Sequence, residues 1–394
     1  MSEQSDTMPW PEQPLRPTRF KRHLGYVYPA LALLAGMQID VFTPRADGPL
    51  TVAQLAAQLR TLVDIISSTP RVFLSGRCKA RFAGNSGAIA KKCNAAAATQ
   101  EQPNVEIILT RVLDVQARKL RPLMYARVAA GMATLADECF ANTDESNAFL
   151  AAGRPRYLGG THGTYADLWS ATLHTAASIR RGQPQARLDF SRMSYPELKA
   201  FMLGLDAGAT ATARRLHKDF HLAAGGHVLD AGGGAGGLAI ALCGLGPSVR
   251  ATVAELANVA PLARNCVQEA GLAEHIEVIE CDFVAAPPPG RYSAVIMRAL
   301  LQVMSSADAQ ATVRHGAADL QSGGGLYVVG RGLDDTRLSP LEAVAANVMF
   351  LNIYADGQAY TEGEYRSWLH DAGLVDIQRQ ELAGGYSIIH GRRT

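Results

Sequence analysis

The sequence contains no C-x-x-C pair and no His–Cys cluster. Its cysteines, Cys78, Cys93, Cys139, Cys243, Cys266 and Cys281, are scattered along 394 residues. That spacing favours buried or surface thiols in a reducing cytoplasm over a metal site or a disulfide framework, so no metal is expected. Neither sign of charge prevails. Lys and Arg number 38 against 36 Asp and Glu, so nothing draws the whole chain to nucleic acid or to an anionic membrane. Long apolar runs are missing too. The longest, "GYVYPALALLAGMQIDVF", carries Pro29, Gln38 and Asp40 and reads as a buried helix rather than a bilayer span. The opening "MSEQSDTMPWPEQPLRP" lacks the basic and apolar regions of a secretory signal. What the sequence does have is core: 48% hydrophobic and 19% charged residues, in a length that suits two domains.

The first half is helical in pattern. "PLTVAQLAAQL" (49–59) offers a threonine to cap an amphipathic helix. "VQARKLRPLMYARVAAGM" (115–132) reads as the next helix, and "ATLADECFANTDESNAFL" as a short strand pair leading into another. Helix, turn, helix and a small β-wing make a winged-helix arrangement. Residues 60 to about 114 stand where a short turn is expected, and loops beyond roughly 15 residues without structure are uncommon. The segment holds Arg71, Arg77, Lys79, Arg81, Lys91 and Lys92 but almost no aromatic residues to stack on bases. It reads as a poorly ordered insertion rather than a nucleic-acid arm.

From Pro196 onward the pattern changes to strand, helix, strand: "HVLDAGG", "GLAIALCGLG", "RATVAEL", "VAPLARNCVQEAG", "IEVIECDF", "YSAVIMRAL", "ADAQATVRHGAADL" and "GLYVVGRGL". Such alternation predicts an α/β fold with a doubly wound, mainly parallel sheet. The expected division is 1–195, helical and winged-helix, and 196–394, Rossmann-like.

"HVLDAGGGAGGL" (227–238) satisfies two fingerprints at once. Gly232, Gly234 and Gly237 fit the G-x-G-x-x-G of dinucleotide folds; Asp230, Gly232, Gly234 and Gly236 fit the acidic-x-G-x-G-x-G loop of S-adenosylmethionine (SAM) sites. A dinucleotide would set its pyrophosphate beside Asp230 and be repelled, whereas SAM brings cationic groups. Charge favours SAM. Glu255 is placed for a ribose diol, which fits either ligand. In "IECDF", Asp282 could accept from an adenine amino group while Phe283 packs on the ring. The wall of a substrate pocket is expected on "EAVAANVMFLNIYADG", through Met349, Phe350, Asn352 and Tyr354, although the same stretch also reads as a core helix.

These motifs resemble those of class I SAM-dependent methyltransferases, specifically the plant and bacterial small-molecule O-methyltransferases related to caffeate and acetylserotonin methyltransferases. "LDAGGGAGG", "AELANV", "ECDF", "SGGGLYVVG" and "GQAYTEGEYRSWLHDAGL" carry the resemblance, which covers almost all of the chain outside the insertion. It implies a homodimer formed through the winged-helix domain and a small-molecule acceptor. It also implies that Asp230, Gly232 and Gly234 line the methionyl part of SAM, that Glu255 holds its ribose, and that Asp282 and Phe283 hold its adenine. Arg298 occupies the position of a basic residue near the cofactor.

The resemblance fails at the catalytic base. Plant-type members use a histidine aligned by two glutamates; here Gln302, Arg331 and Ala359 stand at the three positions. A glutamine amide takes no proton at neutral pH. Three readings follow: methyl transfer by proximity to an aromatic or polyketide-like acceptor; another base, with His162, His174 or Tyr360 as candidates; or a SAM-binding relative with altered chemistry, such as C-methylation or a hydroxylase-like reaction. A DNA-binding regulator is the reading from another class. It would need an exposed recognition helix carrying Arg118, Lys119, Arg121 and Arg127, and the apolar spacing of that helix suits burial better.

Overall fold

The computed structural model describes residues 27–67, 116–154, 157, 162–190 and 192–394. Two compact units divide the chain at 159/160. The proposed insertion lies outside the described residues, apart from 60–67, which continue a helix.

The N-terminal unit contains α1 (Val27–Gln38), a 3-10 turn (Thr43–Arg45), β1 (Leu50–Thr51), α2 (Val52–Ser67), α3 (Ala117–Ala129), β2 (Ala133–Ala136), β3 (Cys139–Asn142) and α4 (Asp144–Leu150). Thr51 starts α2 through a reciprocal cap: its Oγ1 accepts from the Gln54 amide while its own N–H donates to Gln54 Oε1. The three strands pair in the order β1-β3-β2, as a small wing. Asp137 and Glu138 turn the β2–β3 hairpin, both at positive φ, the backbone that a two-residue hairpin with native twist requires. Val41, Phe42, Leu55, Leu120, Met124 and Phe140 form the core beneath it.

The second unit contains α5 (His162–Thr172), α6 (Thr175–Arg181), α7 (Tyr195–Phe220), β4 (Gly226–Ala231), α8 (Gly237–Leu245), β5 (Val249–Glu255), α9 (Ala260–Glu269), β6 (Ile276–Glu280), β7 (Tyr292–Arg298), α10 (Ser306–Ala318), β8 (Leu320–Leu333), α11 (Leu341–Ile353), β9 (Tyr360–Thr361), α12 (Glu362–Asp371), β10 (Leu374–Glu381) and β11 (Tyr386–Arg393). Its main sheet runs β10-β11-β8-β7-β4-β5-β6. Strands β4 to β8 pair in parallel; β11 and β10 return antiparallel at one edge. Successive strand residues alternate between two buried faces. Val228, Ile296, Val329 and Ile388 pack against α7, α8 and α9, while Leu229, Val295, Val328 and Ile389 pack against α10 and α12. Burial on both faces explains why these strands read as continuous apolar runs.

The unit boundary lies before α5, earlier than the 195/196 division expected from the change in pattern. The cause is specific. Ser178 Oγ of α6 donates to Asn352 Oδ1, and the backbone N–H groups of Ala186 and Leu188 donate to the carbonyls of Asn352 and Ile353 on α11. Residues 162–190 therefore belong to the second unit. No helix among the described residues is long and apolar enough to cross a membrane.

Candidate active site

Strand order reverses at β4, which lies between β5 and β7. In open parallel sheets ligands bind beyond the strand carboxyl ends at such a point. Asp230, Glu255 and Arg298 sit at the ends of these three neighbouring strands, and Asp282 lies just past the end of β6.

The glycine loop between β4 and α8 is built from backbone that side chains would block. Gly232, Gly234 and Gly236 have φ of 62°, 60° and 81°, a region open mainly to glycine. Gly233 is needed for space instead: a Cβ there would lie 2.7 Å from the Asp230 carboxyl carbon and 3.0 Å from Val253. A Cβ on Gly232 would meet Leu300, and one on Gly234 would meet Met202 of α7. Met202 and Leu300 thus flank the loop. Neither carries a signal in local pattern, because both read as ordinary apolar residues.

Glu255 ties the loop to β5. Its Oε1 accepts from the Gly234 N–H at 2.9 Å and its Oε2 from the Leu256 N–H at 2.8 Å. Each oxygen keeps a further lone pair, so the carboxylate is oriented and can still accept from a diol. Burial pushes its pKa up, against the opposing pull of the two N–H groups.

Asp230 differs from expectation. It is buried, and its Oδ2 accepts from the Ala239 N–H in the first turn of α8. The carboxylate lies beneath the glycines and supports the helix N-terminus, rather than facing outward from the loop. Phe283 differs as well. It is 4% exposed, in the core with Leu301 and Val313, and so has almost no face free to cover a ligand ring. Asp282 is exposed, its Oδ1 accepting from the Val284 N–H. Arg298 donates from Nε to Thr212 Oγ1, and its Nη2 lies where a Cβ on Gly208 would stand. That glycine of α7 makes room for the guanidinium.

Gln302 occupies a 3-10 turn after β7 and is 8% exposed. Its Oε1 lies 3.3 Å from the Cβ position of Gly330 on β8, and no hydrogen bond among the described residues engages its amide. Tyr360 does not serve as a base: its hydroxyl donates to the Met304 carbonyl at 2.6 Å, and burial pushes its pKa up to about 12. His162 begins α5, the first residue of a helix rather than part of a glycine-rich loop, and His174 is an exposed residue preceding α6.

The expected substrate wall divides. Asn352 is fully buried; Oδ1 accepts from Ser178, and Nδ2 donates to Thr175 Oγ1 and to the Val348 carbonyl. It is a staple between α11 and α6, with no polar atom left for a substrate. Asn352→Ala should therefore cost about 2–4 kcal/mol in urea denaturation and leave cofactor affinity unchanged. Phe350 is also core, packed with Ala171, Leu333 and Ala359. Met349 and Tyr354 remain partly exposed. The Tyr354 phenol is held well above its usual pKa by burial. A Cβ on Gly357 would meet the Tyr354 Cβ and the backbone carbonyl of Gln302, so the main chains of these two segments lie close together. The helix proposed for DNA reading keeps Arg118, Lys119 and Arg121 exposed but turns Arg127 inward.

Comparison with known proteins agrees with this architecture. Residues 182–375 match the sequence model of the O-methyltransferase domain. The chain is 28% identical to 3-hydroxy-5-methyl-1-naphthoate 3-O-methyltransferase of Streptomyces sahachiroi, over 71% of this chain and 83% of that one. Over a shorter stretch, 27% of this chain and 28% of the relative, it is 39% identical to aclacinomycin 10-hydroxylase of Streptomyces purpurascens... a likeness confined to 105 residues. The structure of human N-acetylserotonin methyltransferase in complex with SAM superposes with a TM-score of 0.69 at 21% identity, covering 98% of this chain and 99% of that one.

Proposed function

We propose that this chain, whose residues 182–375 match the O-methyltransferase domain, is a SAM-dependent O-methyltransferase that methylates an aromatic or polyketide-like hydroxyl by orientation, without a histidine base. The observation that carries this reading is Gln302, a buried amide with no hydrogen bond among the described residues, at the position where a base is expected. When bound, SAM supplies a methyl group already activated as an electrophile by its sulfonium.

The glycine cradle and the doubly anchored Glu255 fit such a nucleoside. Glu255 would hold the ribose diol, Asp282 the adenine amino group, and Gly232 and Gly234 would allow the methionyl backbone to approach. Asp230 and Arg298 would shape the loop and its border. Gln302 would orient the acceptor by donating or accepting one hydrogen bond, with Tyr354 and Met349 beside it. Positioning of this kind can supply several kcal/mol of barrier lowering and suits acceptors that ionise readily. The Streptomyces sahachiroi relative is named for 3-O-methylation of a hydroxynaphthoate, an aromatic hydroxyl.

Glu255 gives the cofactor site a pH signature. Diol binding uses the ionised carboxylate, so affinity is full above its pKa and falls as the pH drops through it. Burial raises that pKa, so the loss begins at a higher pH than for an exposed glutamate. Calorimetric titration with S-adenosylhomocysteine (SAH) from pH 8 downward should show this decline, and Glu255→Gln should remove it.

Incubation with SAM and a panel of hydroxynaphthoates, followed by mass spectrometry, tests the reaction itself. A methyl ether is the expected product. A C-methylated or hydroxylated product would instead support the second reading, altered chemistry, which the likeness to aclacinomycin 10-hydroxylase favours over part of the chain. The expected homodimer is part of the same reading: α1 is rich in apolar residues and leaves Leu31 45% exposed. Sedimentation velocity should give twice the chain mass.

A further inference from the structure

The loop that carries Asp282 is tied down from a helix that no motif marked. β6 ends at Glu280, and the chain leaves the sheet through Cys281, Asp282 and Phe283. The Cys281 N–H donates to the Glu255 carbonyl at 2.9 Å, so the loop begins in register with the end of β5. It then turns at once: the N–H groups of Ala285 and Ala286 both donate to the Asp282 carbonyl, at 3.0 and 3.1 Å. Asp282 Oδ1 accepts from the Val284 N–H at 3.0 Å, the local bond that acidic side chains make in turns. No hydrogen bond among the described residues engages its Oδ2. One oxygen is thus held by the loop, and the other is open to a donor.

His315, in the last turn of α10, reaches this loop from another layer. Its ring Nδ1 lies 2.7 Å from the Phe283 carbonyl oxygen. A carbonyl only accepts, so Nδ1 carries the proton and donates. Phe283 is therefore fixed twice. Its ring is in the core with Leu301 and Val313, and its carbonyl is tied to α10. With Cys281 anchored on β5 and Phe283 on α10, the backbone between them has little freedom. That backbone belongs to Asp282. A ligand-binding side chain on an exposed loop gains from such support, because orientation fixed beforehand need not be paid out of binding.

We propose that His315 is a positioning residue for adenine recognition: its Nδ1–H holds the Phe283 carbonyl so that the Asp282 carboxylate faces the adenine amino group. This rests on the reading above in which Asp282 holds the adenine. His315 itself touches no ligand. Its effect passes through the main chain, so it governs how well the protein distinguishes adenine from a base that lacks the amino group.

The test is calorimetry on the full chain with SAH and with S-inosylhomocysteine, in which a carbonyl oxygen replaces that amino group. The analogue sets a lone pair against the carboxylate, so wild type should prefer SAH by roughly 10- to 100-fold. His315→Ala should reduce the preference to a few-fold. His315→Asn should restore it, because its amide nitrogen stands at the same place along the side chain as Nδ1 and also donates. Should the alanine variant not fold, His315→Gln carries its amide one methylene too far and should show the same reduction. Asp282→Ala should abolish the preference, and adding His315→Ala to it should reduce it no further. Full preference in His315→Ala, with only its thermal stability lowered, would overturn the role of His315 while leaving that of Asp282. Full preference in Asp282→Ala, or none in wild type, would overturn both.

Discussion

Glu255→Ala should weaken SAH binding by roughly 100- to 1,000-fold while leaving the fold intact. Two effects combine. The carboxylate that would accept both ribose hydroxyls is lost, and hydrogen bonds to a charged acceptor are worth about 1.5–3 kcal/mol each. The Gly234 and Leu256 N–H groups also lose their common anchor, so the loop is freed before the ligand arrives. Because burial disfavours the charged carboxylate in the free protein, its removal should cost little folding stability. Calorimetry for affinity and urea denaturation for stability, on the same preparation, separate the two. An equal loss in both would make Glu255 a structural residue only.

The second large effect is expected at Gly233. Its φ is ordinary, unlike those of its neighbours, so conformational freedom is not the reason for a glycine here. Space is the reason, since a methyl group would stand 2.7 Å from the buried Asp230 carboxyl. Asp230 would have to leave the Ala239 N–H that it caps. Overpacking of this kind costs typically 1–3 kcal/mol, and it falls on the loop that meets the cofactor. Gly233→Ala should lower the thermal midpoint and weaken SAH binding together. Gly244, on α8, is the control: a Cβ there meets nothing within 4 Å, and Gly244→Ala should raise stability by about 0.5–1 kcal/mol.

Much of this site could be read in the sequence, and the exceptions share a cause. The alternation of strands and helices from 226 onward, the glycine loop and the position of Glu255 follow from local pattern, because parallel strands buried on both faces leave continuous apolar runs. Side-chain direction does not follow from local pattern. Phe283 follows Asp282 past the end of β6, and nothing local tells that the ring turns into the core. Asn352 reads as a polar handle on an apolar helix, yet its partners Ser178 and Thr175 lie more than 170 residues away. Those same distant contacts move the unit boundary ahead of α5. Arg45 and Arg127 were hidden for a related reason: charged residues are rarely buried, so nothing local marks either as a core residue, and the structure has Arg127 against Phe42.

The absence of a histidine base is the central claim, and the pH dependence of kcat/KM across hydroxyaromatic acceptors of graded acidity tests it most directly. If orientation alone drives transfer, the rate should rise with pH up to the pKa of each acceptor. The inflection should move with the acceptor, and it should survive His162→Ala. An inflection at one fixed pH for every acceptor, abolished by replacing a single histidine, would contradict the account and restore a protein base.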